Sequence, residues 1–129
     1  MDPETCPFCS PDPGEIIGEN DLAYARLDKH PVSPGHLLII PKRHIPSVFD
    51  TTESELAALW DLLLIAKQHL KKDFTPDGYN IGINDGTPAG QTIPHLHIHL
   101  IPRYTGDMPD PRGGVRGVIP ERQKYSPDP

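Results

Sequence analysis

Apolar and polar residues alternate along this chain in short runs, interrupted once by a long stretch of helical period. Ile16-Ile17-Gly18-Glu19-Asn20-Asp21-Leu22-Ala23-Tyr24-Ala25-Arg26-Leu27 reads as two short strands about a polar turn at 19–21. After a loop over 31–35, His36-Leu37-Leu38-Ile39-Ile40-Pro41 is a nearly continuous apolar run, as expected of a strand covered on both faces. The period then changes. Thr52 and Glu55 form a capping-box pattern, and Leu56, Leu59, Trp60, Leu63, Ala66 and Leu70 follow at helical spacing, so a helix is predicted over about 52–73 with those side chains, Trp60 included, in the core. Lys71 and Lys72 suit its negative end, and Pro76 and Gly78 stop it. Tyr79-Asn80-Ile81-Gly82-Ile83-Asn84 returns to strand period, and a Gly-rich turn over 85–92 leads into a final strand. The order β-β-β-α-β-β implies an α+β fold, an antiparallel sheet carrying one long helix.

That final strand carries the chemistry. In His95-Leu96-His97-Ile98-His99-Leu100-Ile101 three histidines alternate with apolar residues. As a strand, bounded by Pro94 and Pro102, it sets the imidazoles on one face about 7 Å apart and turns Leu96, Ile98 and Leu100 to the core. A helix would scatter them. An imidazole row can bind a metal, hold a phosphate, or attack a phosphorus or carbonyl centre. One ion held by all three is disfavoured, because a straight strand spaces them too widely.

Composition narrows the setting. A chain of 129 residues suits one compact domain. A formal net charge of −6 argues against a general nucleic-acid binder. The longest apolar run, near 62–66, lies inside the helical pattern, so no membrane span is expected. The first residues lack the basic and apolar regions of a signal peptide, which makes the cytoplasm the expected location and leaves Cys6 and Cys9 reduced. Prolines gather at the two ends, and the tail from Thr105 on, with Gly113-Gly114, is expected to be loop-like, its last few residues poorly ordered.

Three further groups bear on function. Cys6-Pro7-Phe8-Cys9 fits a redox pair, half of a metal site, or neither; Pro11 and Pro13 disfavour the helix a thioredoxin-like site needs. A zinc site would need two more ligands, and His44 and His95 are the natural candidates. Asn84, Gln91 and Thr92, among glycines, suit a plain hairpin connection or an anion cradle. Arg112, Arg116, Arg122 and Lys124 in the tail suit a solvated face, or contact with a polyphosphate or a partner subunit.

Together these residues resemble the histidine-triad (HIT) family. His-Leu-His-Ile-His-Leu-Ile at 95–101 matches its signature, and Gly35-His36, Pro41-Lys42-Arg43-His44, Asn84 and Gly90-Gln91-Thr92 sit where the family places them. The resemblance covers 6–103. It implies a HIT-like fold with a five-stranded, mainly antiparallel sheet, one long helix and a short N-terminal helix or turn. The HIT domain would span 1–104, including the Cys-x-x-Cys segment, and 105–129 would be a Pro/Gly-rich tail.

The family comprises nucleotide hydrolases and transferases acting at the α-phosphorus. The resemblance implies that His97 attacks there to form a nucleotidyl-histidine, that His36 and His99 support catalysis, and that Asn84, Gln91, Thr92 and His99 hold phosphate. It places Asp28 at the ribose and Ile17, Leu27 and Lys29 near the base. It makes Cys6, Cys9, His44 and His95 ligands of a closed, structural zinc ion, with no organic cofactor. The ending Ile101-Pro102-Arg103 with Gly106-Asp107 is more similar to the fragile-histidine-triad type than to the nucleoside-phosphoramidase type, which implies AMP-containing dinucleoside polyphosphates as substrates. Adenosine phosphoramidate hydrolysis and a non-catalytic nucleotide-binding module are the alternatives. The resemblance also implies a homodimer whose sheets join edge to edge.

Overall fold

Five strands and one helix carry the fold in the computed structural model, which describes residues 2–126. The strands are β1 (Ile16–Glu19), β2 (Ala23–Leu27), β3 (Leu37–Pro41), β4 (Gly78–Ile83) and β5 (Ile98–Arg103), and the helix α1 (Glu53–Leu70) lies between β3 and β4. They form one sheet in the order β1-β2-β3-β5-β4, every neighbouring pair antiparallel. The α+β expectation holds, down to a short 3-10 turn near the N-terminus at Pro13–Glu15.

Thr52 starts α1 as read. Its hydroxyl accepts from the Glu55 amide at 3.1 Å, and the Glu55 carboxylate accepts from the Thr52 amide at 2.9 Å. Arg43 grips the same carboxylate with Nε and Nη2 at 2.9 and 2.7 Å, and with its neighbours holds the Glu55 carboxyl down at about 2. The helix ends at Leu70, short of 73. Its inward stripe is Leu59, Leu62, Leu63, Ala66 and Leu70, packed on Leu37, Ile39, Leu96, Ile98 and Leu100 of the sheet. Two expected core residues fall outside it: Leu56 is 50% exposed and Trp60 55%. Leu62 takes the inward position instead, since a stripe on 59, 62, 63, 66 and 70 faces a flat sheet more squarely than one drawn through 56 and 60.

The other face of the sheet is covered by Cys6 and Phe8, which pack on Tyr24, Leu38 and Ile40; the Tyr24 hydroxyl donates to the Phe8 carbonyl at 2.6 Å. Regular pairing of the last strand begins only at Ile98. His95 and His97 sit in the segment just before it, held by other means, while Leu96, Ile98 and Leu100 are buried on the helix side. The tail forms two further 3-10 turns, Gly114–Val118 and Pro120–Arg122. The expectation of poor order at the end of the tail falls on 127–129, outside the described residues. No helix among the described residues is long and apolar enough to cross a membrane.

Candidate active site and metal cluster

Strand register puts Arg26, Leu38, His99 and Gly82 in one row across β2, β3, β5 and β4, on the sheet face away from α1. His97 precedes this row and His36 stands just before β3, so the imidazoles gather at one point on that face.

Hydrogen bonds fix the protons. His97 Nδ1 lies 2.9 Å from the carbonyl of His95, so it donates there and keeps a lone pair on Nε2. His36 Nδ1 accepts from the Val32 amide at 3.1 Å, so its proton is on Nε2. That Nε2 donates to His99 Nδ1 at 2.9 Å, with an Asp28 oxygen 3.4 Å away. His99 therefore carries its proton on Nε2, as a donor. Adjacent imidazoles are left in opposite states, one with a lone pair and one with an N–H.

Burial keeps His36 and His99 neutral. His99 is pushed down to about 4, by burial first and then by His97 and His36. Burial lowers His36 as well, against the opposing pull of Asp28. A cleft of about 580 Å³ opens beside them, with His36, His99 and Asn84 in its lining and residues of the tail along one side.

The metal-type cluster is separate. Cys6 Sγ and Cys9 Sγ lie 3.4 and 3.5 Å from His95 Nδ1, His44 Nδ1 lies 3.2 Å from the same nitrogen, and Cys9 Sγ lies 3.1 Å from His44 Nδ1. The four donor atoms lie within 4.8 Å of one another and can hold a metal ion. His95 donates its Nε2–H to the Pro41 carbonyl at 2.8 Å, the outer-shell partner expected of a metal-binding histidine, and this leaves Nδ1 unprotonated toward the sulfurs. Two thiols and two imidazoles at these separations fit a tetrahedral N2S2 ion.

Other sequence-predicted residues stand further off. Gln91 gives Nε2 to the carbonyls of Pro46 and Ile93 at 2.9 and 3.1 Å and accepts from the Gly86 amide at 2.8 Å, so it braces its own loop. Thr92 is exposed, and neither residue is in the cleft lining. Ile17 packs against the helix-side core, Leu27 pairs with Leu37 on that same face, and Lys29 is an exposed partner of Glu15 at 3.4 Å. Asp28 reaches the cluster through His36.

Asn80 was missed. It pairs with Ile101 on the imidazole face, lines the cleft, and accepts from Arg103 Nη1 at 2.7 Å. The alternation in 79–83 would have placed it there once His99 was set opposite Gly82.

Comparison with known proteins agrees with this geometry. The HIT domain matches residues 11–106. A bis(5'-nucleosyl)-tetraphosphatase of Schizosaccharomyces pombe is 40% identical over 94 residues, 73% of this chain and 52% of that protein. A bis(5'-adenosyl)-triphosphatase of Dictyostelium discoideum is 42% identical over 94 residues, 73% of this chain and 63% of that protein. The chain thus spans about half to two thirds of the length of these relatives. Among solved structures, a zinc-bound histidine triad family protein of Mycobacterium smegmatis superposes with a TM-score of 0.72 at 32% identity, covering 84% of this chain and 86% of that one. A HIT family protein of Bacillus anthracis gives 0.74 at 34%, covering 81% and 77%. With its histidine row, its sheet order and this match over most of its length, the chain belongs to the HIT domain family.

Proposed function

We propose that the protein is a nucleotide hydrolase acting at the α-phosphorus through a covalent intermediate on His97, with dinucleoside polyphosphates as substrates. The observation that carries it is the opposed protonation of adjacent imidazoles: a lone pair on His97 Nε2 beside an N–H on His99 Nε2. His97 attacks, forming a phosphorus–nitrogen bond, and the bond to the leaving phosphate oxygen breaks. His99 and the Asn84 amide donate to the oxygens that gain charge, and water then cleaves the nucleotidyl-histidine. Asp28 holds His36 from behind and stands beside the ribose. The S. pombe and D. discoideum relatives, named for tetraphosphatase and triphosphatase activity, favour this substrate class over a phosphoramidate.

Zinc is the ion we assign to Cys6, Cys9, His44 and His95. With four protein donors the part of such an ion would be structural: it would fix His95, whose carbonyl orients His97. Both cysteines being free thiols suits a reducing compartment, the cytoplasm. The catalytic unit is residues 1–104, and the described part of the tail, 105–126, flanks its cleft. The dimer expected from the family would use β4, an outer strand of the sheet, together with an apolar groove of about 520 Å³ along Leu56, Trp60 and Ile81.

Rapid acid quench of the protein with radiolabelled diadenosine triphosphate tests the mechanism. The wild type traps an adenylyl group on protein, and His97→Ala traps none and loses about 10³-fold or more in kcat. Full turnover by His97→Ala would end the assignment. Tight mononucleotide binding without turnover of any substrate would favour a binding module instead.

A further inference from the structure

Apolar residues of the tail line the side of the cleft nearest β4, with Val32 across from them. Val32, Met108, Val115 and Val118 all border it, and three of them are strongly exposed: Val32 at 72%, Val115 at 64% and Val118 at 76%. Aliphatic side chains this open, brought together from two separate segments around one polar floor, are unlike apolar residues scattered singly over a surface. The tail is also built to stand where it does. Arg103 donates from Nε and Nη2 to the two Asp107 oxygens at 2.8 and 2.7 Å and from Nη1 to Asn80, tying the start of the tail to β4 and β5. Gly113 and Gly114 take positive φ of 88° and 42°; a Cβ on Gly113 would overlap the Gln123 carbonyl, and one on Gly114 would press to 3.2 Å from the Asn80 amide nitrogen.

The tail's basic residues do not serve the cleft. Arg112 and Lys124 both bind Asp110, at 3.0 and 3.2 Å, and Arg116 spends its guanidinium on the Arg122 and Gln123 carbonyls and the Tyr125 ring. Of the alternatives open for Arg112, Arg116, Arg122 and Lys124, the polyphosphate contact has no side chain in place, since none of the four lines the cleft.

We infer that the tail is a binding wall for the nucleobase of the leaving group, held by Met108, Val115 and Val118 with Val32 opposing from the loop after β2. The inference rests on the hydrolase reading above for what the leaving group is. A purine offers a flat apolar face of the kind these side chains cover, and the wall is continuous with His36, His99 and Asn84, where the bridging phosphates must lie. Selection for two-base substrates would then come from the tail and chemistry from the row of histidines.

The test is calorimetric binding of two probes, methylene-bridged diadenosine triphosphate and AMP, to the full chain and to Val115→Asp/Val118→Asp. Both positions are exposed, so the change leaves the core intact. The wild type is expected to prefer the dinucleotide, and the double variant to lose about tenfold of that preference while Val118→Ile keeps it. An unchanged ratio in the double variant overturns the wall even where the adenylyl trap succeeds. A trap that fails while the preference is lost overturns the hydrolase reading and leaves the wall supported as a base site. Failure of the wild type to bind either probe overturns both.

Discussion

The two ends of this chain cover the same face of the same sheet by opposite means. Residues 6–9 lie over β2 and β3 as a closed plug: Cys6 and Phe8 are buried, their packing partners are apolar, and the cysteines converge with His44 and His95. The tail lies beside β4 and β5 as an open wall, exposed, pinned by ion pairs and glycine turns. The candidate nucleophile lies on the plug side, with Phe8 edge-on to its ring at 5.0 Å. A reacting group must be held to fractions of an ångström, whereas a group being recognised must be able to enter and leave. One face thus needs a rigid flank and an accessible one.

Breaking the plug should have the largest effect. Cys9→Ser removes one of four donors and is expected to abolish binding of the zinc ion proposed there, cost on the order of 3–5 kcal/mol of stability, and lower kcat because His95 no longer aims His97. Metal content by mass spectrometry under native conditions, urea unfolding and kcat on one preparation check all three. A variant with full kcat and no metal would separate the plug from the chemistry.

Loosening the wall should do something different in kind. Asp107→Asn weakens the bidentate grip of Arg103, and should raise KM for a dinucleoside polyphosphate several-fold while moving the melting temperature by less than about 5 °C. A fall in kcat with KM unchanged would place the tail in the chemistry and erase the contrast.

Acid probes the histidines between the flanks. His99 titrates at about 4 in the fold but near 6.5 in the unfolded chain, so between those values the unfolded chain holds a proton the fold does not. Stability should therefore be complete above about pH 6.5 and decline as pH falls toward 4, with His99→Asn flattening that decline in urea titrations at stepped pH. Equal slopes in both proteins would mean that the ring is not held neutral.

The smallest effect belongs to a change that leaves every contact of the two flanks in place. Thr52→Ala removes the α1 cap and should cost about 1 kcal/mol in urea unfolding, with KM and kcat unmoved.

What the sequence made legible follows local rules. The capping box, the strand alternation and the paired-cysteine spacing depend on neighbours a few residues apart; the first and last are where they were expected, while the histidine strand pairs only from Ile98 and runs through Pro102 to Arg103 instead of spanning 95–101. Trp60 was misread because two helical stripes, through 56-59-60-63 and through 59-62-63-66-70, have the same period, and only the packed sheet selects between them. Gln91 looked like a phosphate donor by residue type, but its amide is consumed by three backbone groups, one of them, the Pro46 carbonyl, from a segment folded against its loop. The protonation states of His36 and His99 were also out of reach, since they hang on the Val32 amide. The tail's wall was hidden for a related reason: its aliphatic residues carry no period, and its partners Asn80 and Arg103 lie on other strands.

Arg43 and His44 are successive residues, yet one grips the first turn of α1 through Glu55 and the other meets Cys9 and His95 on the opposite side of the sheet. A single peptide unit therefore rivets the two layers together. Neither layer can open without pulling on the other, so the helix start and the cysteine segment should exchange their amide hydrogens as one cooperative unit. Removal of the ion proposed at those sulfurs would then be felt as fraying at Thr52, on the other face of the sheet.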